Sequence, residues 1–437
     1  MAASRPWQGV LRDHPVRRLD PQDPLALLNE FRATRARMQE TATGSPQPRI
    51  GFACMWEEIP ERSWSNTAWY LRAELRLVTD TVDVGVQIPR LPRTILRAVH
   101  ARRRAGRLTT TWNYSRLTDA YIAHALRREL SRNPEARRCD AVLMAYNQGD
   151  LAALPIPFFP FTDMTWDAFA TMSGGVDASA AHLSMRPSSI ARRRERQLVI
   201  YERATGVIAE SHWLANSLVE QTGVAPGKVH VVHPGISAGW ESNKQGKHQL
   251  RPPLQQRAAP RRRLLFVGAR EFYRKGGDLV VAALALLRRE YDPRITLTVV
   301  GPQAWPLPGS PPDGVQFLGS LPPHEVASLY DSHDLFVMPS RFEPIGKVFA
   351  EALARGLPCV ARDAFAMPEI VTSGVSGAVI TGDDENELAA TIAAALADDA
   401  LYERCYQRAP EIAEYFSWER AALQVSQVIT QALQSAP

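Results

Sequence analysis

The stretch RFEPIGKVFAEALARG occupies residues 341–356 and follows directly on the apolar run DLFVMPS (334–340). The run is short, uncharged after its first residue and rich in β-formers, so it reads as a buried strand. The loop leaving it turns into a helix at about Ile345 or Gly346, and Gly356 stops that helix. PCVAR (358–362) then opens another strand. A strand, a polar loop, a helix and a second strand make one turn of a doubly wound parallel sheet, in which ligands bind outside the carboxyl ends of the strands. The first N–H groups of a helix lack internal partners and sit at the positive end of its dipole, an arrangement suited to a diphosphate. Gly346 lets such a group approach the backbone. Glu343 lies on the loop and Glu351 in the second turn of the helix, so one carboxylate can face a sugar while the other reaches ribose hydroxyls. Two surface glutamates flanking a helix start are the plain alternative.

The alternation extends outward from this segment. Strands are expected at RLLFVG (263–268), ITLTVVG (295–301), VQFLGS (315–320) and GAVIT (377–381). Helices are expected at 278–291, 324–332, 387–399 and 418–433. Toward the N-terminus, RIGFACMW (49–56), AVLMAYN (141–147), PFFPFTD (157–163), GVIAES (206–211) and KVHVVHPG (228–235) read as strands of a second such sheet. A helix follows at 212–223, with Ser211 as N-cap and Gly223 as stop. Residues 24–40 carry one further helical stretch. Residues 241–263 hold several prolines and no apolar periodicity, and read as a linker. The expected organisation is an N-terminal domain over 1–240 with 1–48 as its extension, the linker, a C-terminal domain over 264–415, and a last helix in 416–437 that crosses back to the first domain.

Bulk properties narrow the function. The chain has 437 residues, 45% hydrophobic and 22% charged, too long for one ordinary core. No apolar run reaches the roughly 18–20 residues that span a bilayer, and the N-terminal residues show no secretory h-region. The four cysteines, Cys54, Cys139, Cys359 and Cys405, are scattered, which argues against a disulfide scaffold or structural zinc and for a reduced, cytoplasmic setting. The net charge is +5 and the pI about 9.1. Arginines gather at 93–107, 125–132 and 191–196; they read either as solvated helix faces or as a surface for anionic membrane or phosphates. No zinc-finger, helix-turn-helix or RNA-binding aromatic motif accompanies them, so no nucleic-acid partner is expected.

With its spacing of seven residues between Glu343 and Glu351, the 341–356 segment resembles the Glu-x7-Glu motif of family-4 retaining glycosyltransferases, which have the GT-B fold: two Rossmann-like doubly wound domains facing each other across a cleft. The resemblance covers roughly 261–433, and more loosely 49–70, 140–170 and 200–240. It implies that Glu343 contacts the donor sugar, that Glu351 holds the ribose, and that amides near Ile345, Gly346 and Lys347 receive phosphate. In FVGAREFYRKGGD (266–278) it implies a diphosphate clamp by Arg270 and Lys275 beside Gly268. The family often has arginine directly after the glycine, where this chain has Ala269. Leu321, in FLGSLPP, would lie against the nucleobase, or be an ordinary core leucine. Glu369 matches a later family glutamate of structural role, and Glu202, Ser211 and Trp213 match a structural signature of the first domain.

In the N-terminal half, Asp163 in FFPFTDMTW matches a position that presents a polar residue to the cleft, where it would orient an acceptor hydroxyl or the sugar. The loop ERSWSN (61–66) sits where relatives carry a glycine-rich acceptor loop. It has no Gly-Gly, and Ser65 and Asn66 are its candidates. The implied activity is transfer of a hexosyl group from a UDP-, GDP- or other NDP-sugar to an acceptor hydroxyl on a carbohydrate, a lipid-linked acceptor or a small molecule, with retention. The sequence contains no Asp-x-Asp, so no metal and no cofactor are expected; Arg270, Lys275 and the helix dipole would take the cation's part. Peripheral contact with anionic membrane is compatible with the basic surface. The alternatives are a GT-B phosphorylase or epimerase sharing the donor pocket, and a non-catalytic membrane-docking protein with a degenerate site.

Overall fold

The computed structural model describes residues 28, 32, 47–64, 66–104, 107–110, 112, 115–146, 151, 155–173, 187–236, 260–268 and 271–435. The helix expected within 24–40 and most of the linker expected at 241–263 lie outside them, apart from single positions and the last linker residues. The chain divides into two compact units: Thr34–Gly174 with Ala181–Gly235 and Trp418–Pro437, and Met1–Ala33 with Gly175–Ala180 and Ile236–Ser417.

In chain order the first unit contains β1 (Arg49–Ala53), β2 (Met55–Trp56), α1 (Thr67–Val78), β3 (Asp80–Asp83), β4 (Val86–Gln87), α2 (Arg90–Val99), β5 (Ala101–Arg104), β6 (Arg107–Thr110), α3 (Arg116–Arg132), β7 (Ala141–Ala145), β8 (Phe158–Thr162), α4 (Trp166–Ser173), α5 (Pro187–Arg203), β9 (Val207–Ala209), α6 (His212–Asn216) and β10 (Val229–Val231). Six of its strands form one parallel sheet in the order β10-β9-β8-β7-β1-β3. Strand β1 therefore lies between β3 and β7, and the winding reverses there. The strands β1, β7 and β8 are almost continuous apolar runs because helices cover both faces of a parallel sheet. On one face Ile122, Leu126, Leu130, Ile200 and Tyr201 of α3 and α5 join the core. On the other, Leu71 and Leu75 of α1 join it. Strand β3 reads DTVD, and its charged ends give no apolar signal; it forms because an edge strand needs one paired side only.

The other unit contains β11 (Arg263–Val267), α7 (Gly277–Glu290), β12 (Thr296–Val300), β13 (Val315–Gly319), α8 (Pro323–Ser332), β14 (Leu335–Val337), α9 (Lys347–Leu353), β15 (Cys359–Arg362), β16 (Gly377–Ile380), α10 (Glu385–Ala397) and α11 (Asp399–Tyr415). Its sheet is parallel throughout, in the order β13-β12-β11-β14-β15-β16. In order of appearance this is 3-2-1-4-5-6, with the reversal between β11 and β14. Leu264 pairs with Leu335 and Leu265 with Phe336, all fully buried. Helix α11 was not expected, since Pro410 interrupts its pattern; its start is fixed by Asp398, whose side chain accepts from the Leu401 N–H.

The last helix, α12 (Trp418–Gln434), belongs to the first unit, where Ala421, Ala422, Val425 and Ile429 pack with α1. Arg420 is fully buried there and donates to the carbonyl of His233 at 2.6 Å. Gly235 makes room for the Trp418 ring: a Cβ at that position would stand 2.5 Å from it. Among the described residues no helix is long and apolar enough to cross a membrane.

Candidate active site

The winding of the sheet in the second unit reverses between β11 and β14, and the loops leaving these two neighbours are the ones that carry the sequence candidates. The β11 loop runs into Lys275 and then Gly276, which precedes α7 with φ +79°. The β14 loop carries Glu343 and then Gly346, which precedes α9 with φ +76°. Lys275 Nζ and Glu343 Oε2 form an ion pair, and both side chains are largely buried. The other oxygen, Glu343 Oε1, accepts from the Gly346 N–H at 3.1 Å. The amide that the resemblance gives to phosphate thus meets a carboxylate in this structure, at the helix end where negative charge is favoured.

The Glu343 loop is held from several sides. Arg274 Nη1 donates to the Phe342 carbonyl at 2.7 Å, and Ser340 Oγ donates to the same oxygen at 2.9 Å. Arg362 donates to the carbonyls of Ser340 at 3.1 Å and Pro339 at 3.2 Å. Arg341 makes a bidentate pair with Asp278 at 2.7 and 3.0 Å and reaches Asp383 with Nε. These arginines act on backbone and carboxylates together, which fixes the loop in place before any ligand arrives. None of Arg274, Arg341 or Arg362 was assigned from sequence. Arg362 ends β15, whereas Arg274 lies in the turn before α7 and Arg341 in the loop after β14, and only the fold shows them converging on one loop.

Glu351 lies on α9, 9% exposed, and its Oε2 accepts from the Tyr330 hydroxyl of α8 at 3.1 Å. Burial and the neighbouring Glu351 charge hold the Tyr330 phenol well above its ordinary range, so it stays a donor. Tyr330 was missed because a tyrosine in an amphipathic helix reads as core. Gly268 directly follows β11 and its N–H donates to the Val300 carbonyl at 2.9 Å; a Cβ there would stand 2.4 Å from the Phe266 ring. Ile345 is buried and Lys347 opens α9. Leu321 is half-buried in the loop after the edge strand β13, two strands away from β11. Glu369 ends a short 3-10 turn, Met367–Glu369, and the turn's leading residue Ala366 donates its N–H to the Glu343 carbonyl at 3.4 Å. Arg270 lies outside the described residues.

In the first unit, the reversal point falls between β1 and β7. Three non-glycine residues there have left-handed backbone: Trp64 at φ +54°, Asn66 at +69° and Tyr146 at +60°. Such conformations persist where surroundings enforce them. The Trp64 and Tyr146 rings stack with centroids 4.4 Å apart and 19° between planes. Tyr146 also meets Phe161 edge-on. Burial, with Glu210 and Asp163 nearby, pushes the Tyr146 phenol well up, and its hydroxyl bonds to Thr67 and Glu210. Asp163 is half-buried just past β8, and Glu210 is 2% exposed just past β9. The structure therefore brings Asn66 and Asp163 to the carboxyl side of one sheet and adds Trp64, Tyr146 and Glu210, which sequence reasoning passed over. Ser65 lies outside the described residues. Ser211 does cap α6, accepting from the Leu214 N–H at 3.2 Å.

Comparison with known proteins adds to this geometry. The sequence pattern of the family described as "Glycosyl transferases group 1" matches residues 254–412, and that of "Glycosyltransferase Family 4" matches residues 67–239. The chain is 30% identical over 266 residues to a D-inositol 3-phosphate glycosyltransferase of Corynebacterium efficiens, covering 56% of this chain and 61% of that protein. It is 30% identical over 255 residues to the protein of that name from Streptomyces bingchenggensis, covering 53% of each. The matched region thus spans less than two thirds of these relatives. Among solved structures, sucrose-phosphate synthase from Thermosynechococcus elongatus superposes with a TM-score of 0.62 at 18% identity, covering 89% of this chain and 100% of that one. Anabaena HepE, solved with UDP and glucose, superposes with a TM-score of 0.57 at 18% identity, covering 88% and 100%. These structural likenesses show the fold. With the two family patterns falling one on each half of the chain, the protein belongs to the family-4, group-1 glycosyltransferases and has their GT-B fold.

Proposed function

We propose that this chain transfers a hexosyl group from a nucleoside-diphosphate sugar to an acceptor hydroxyl, with retention at the anomeric carbon and without a divalent metal on the diphosphate. The observation that carries this reading is the Lys275–Glu343 pair, set on adjacent loops at the reversal point of the second unit's sheet, with Glu351 fixed by Tyr330 on the helix that follows.

In this reading Lys275 turns from Glu343 to the donor diphosphate, joined by Arg270 and by amides near Gly268, Ile345, Gly346 and Lys347. Glu343, released from the lysine, accepts hydroxyls of the donor sugar. Glu351 accepts from the ribose, and Leu321 lies against the base. The bond from the anomeric carbon to the diphosphate oxygen breaks with its electron pair passing to the nucleoside diphosphate. The acceptor oxygen bonds to the same face, and its proton goes to the departing phosphate oxygen. Lysine and arginine charge stabilises that leaving group, the step where electrostatics contribute most. Asp163, with Asn66 and Ser65, orients the acceptor. The HepE complex with UDP makes a uridine donor the first to try. The acceptor class is a carbohydrate or a lipid-linked one, and a basic surface meeting anionic membrane belongs to the same reading.

The test is a thermal-shift series with UDP, GDP, ADP, TDP and their sugars, with and without EDTA, on the wild type, Lys275→Ala and Glu351→Ala. A ligand at about 100 times its dissociation constant adds roughly 2.7 kcal/mol. Stabilisation by one nucleotide that survives EDTA and disappears in both variants is the expected result. No stabilisation by any nucleotide overturns the reading.

A further inference from the structure

Arg341 lies two residues before Glu343 and is bound to the chain on both sides of Lys275. Its backbone N–H donates to the Arg274 carbonyl at 2.8 Å, and Nη1 donates to the Tyr273 carbonyl at 2.5 Å. Beyond Lys275, Nη1 and Nη2 meet the two oxygens of Asp278, in the first turn of α7, at 2.7 and 3.0 Å. Lys275 itself carries its charge on a flexible four-carbon stem, so where that charge falls depends on how firmly the turn beneath it is held.

The other edge of the Arg341 guanidinium faces the loop after β16. Nε donates to the Asp383 carboxylate at 3.1 and 3.2 Å, and Arg362 shares the same carboxylate at 2.6 Å. Four of the five guanidinium N–H groups of Arg341 are thus engaged, along two edges of one plane, a span that the point charge of a lysine does not reproduce. The charges of this network balance: Arg341 and Arg362 stand against Asp278 and Asp383. A balanced network is fitted to hold a position, not to attract an anion. Lys275 pairs outside it, with Glu343.

We propose that Arg341 is a positioning residue of the donor site. Its guanidinium fixes the turn that carries Lys275 against the loop that carries Glu343, so that Lys275 Nζ reaches Glu343 in the free protein and the diphosphate in the complex without the turn moving. Arg341 touches neither substrate nor reacting atom. The part of the diphosphate rests on the transfer reading; the hold of Arg341 on Lys275 does not.

The experiment treats the full chain with formaldehyde and cyanoborohydride, well below its melting temperature, and follows dimethylation of each lysine by peptide mass spectrometry. Arg341→Met raises the labelling rate of Lys275 at least about tenfold, the factor that one lost hydrogen bond to a charged group makes in a local opening equilibrium. Lys228, in the first unit, donates to the carbonyls of Glu202 and Ala204 at 2.8 and 3.0 Å; it keeps its rate and so reports general loosening. Arg262→Met breaks a similarly buried pair, with Asp292 at 2.6 Å, at the amino end of the same sheet, and leaves Lys275 protected. Asp278→Asn, a milder change at a 30% exposed carboxylate, also raises Lys275 labelling and adds nothing once Arg341 is Met.

A second arm takes whichever UDP-, GDP-, ADP- or TDP-sugar stabilises the chain and measures release of its nucleoside diphosphate to water. Arg341→Met lowers kcat/KM about hundredfold, the cost of a misplaced catalytic group. In a Lys275→Ala background it costs nothing further, since no lysine is left to position. An unchanged Lys275 labelling rate in Arg341→Met, or a rise that Lys228 or the Arg262→Met protein shares, overturns the proposal. So does a loss of activity in the Lys275→Ala background as large as in the wild type. If no nucleotide sugar stabilises the chain, the transfer reading fails, and labelling alone decides whether Arg341 holds Lys275.

Discussion

Lys275 and Glu343 stand 68 positions apart in the chain, and their side chains, 13% and 8% exposed, close on each other as an ion pair. The topology makes this meeting unavoidable. Strands β11 and β14 are neighbours that send their chains to opposite sides, so the loops leaving them face one another. Removing one partner of a buried pair strands the other's charge, which costs about 3–5 kcal/mol. Lys275→Ala is therefore expected to lower stability by that order. Lys275→Met with Glu343→Gln regains most of it while binding no nucleotide sugar. Chemical denaturation of the three proteins checks this, and a Lys275→Ala midpoint equal to the wild type would refute the buried pairing.

Glu351 depends on Tyr330 in a simpler way. The tyrosine is fully buried, stays protonated, and donates to the carboxylate at 3.1 Å. Tyr330→Phe keeps the ring and removes only the donor. A hydrogen bond to a charged group contributes about 1.5–3 kcal/mol, so the variant should unfold more easily by that order. If Glu351 meets the ribose, nucleotide affinity also falls about tenfold, a change of 1.4 kcal/mol. Isothermal titration with the nucleotide found by thermal shift reads this directly. Unchanged affinity would separate Glu351 from the ribose.

Much of this arrangement could be read before the fold was known. The strands β11 to β16 announce themselves because a parallel sheet covered on both faces needs nearly unbroken apolar runs. Glu343, Gly346 and Glu351 were legible because a strand, a loop and a helix in that order place them at a carboxyl end. Strand β3 was not, since an edge strand tolerates DTVD, and α11 was not, since Pro410 breaks its pattern. What no local pattern contains is convergence over long separations. Arg274, Arg341 and Arg362 meet one loop, and Tyr330 meets Glu351, only after the sheet has set their positions. The same holds for Trp64 and Tyr146, whose left-handed backbones and stacked rings come from distant loops.

Gly276 and Gly309 offer a matched pair of substitutions. Both have left-handed backbone, at φ +79° and +76°. An alanine at either position meets the left-handed strain of about 1–2 kcal/mol. At Gly309 nothing lies within 4 Å of an added Cβ, whereas at Gly276 the Pro339 carbonyl oxygen lies at 2.5 Å. That oxygen is backbone, so no side chain can swing aside. Gly276→Ala must move the start of α7 or the exit from β14, and with it Lys275 or Glu343. It should destabilise more than Gly309→Ala and also abolish the nucleotide-induced thermal shift, which Gly309→Ala leaves intact. Equal effects of the two would mean that the close approach to Pro339 does not position the pair.

Acid should weaken the second unit through Asp334 and Asp383. Burial raises both carboxyls, but their donors more than offset it, and both end below the ordinary range. Asp334 accepts from the N–H groups of Arg262 and Arg263, each at 2.9 Å, and from the Arg263 guanidinium at 2.9 Å. Asp383 is held by Arg362 and Arg341. A carboxyl whose folded value is depressed contributes its full stability above the unfolded value, about 3.9 for aspartate, and loses it as pH falls through the folded one. Melting temperature should therefore be insensitive to these groups near neutrality and decline below about pH 4. Asp334→Asn removes the charge at every pH, so it should melt lower than the wild type at neutral pH. The gap should close on acidification, because the wild-type carboxyl is then protonated too. A gap that stays constant through that range would mean that Asp334 keeps the same proton affinity folded and unfolded, and that its contacts with Arg262 and Arg263 do not hold its charge.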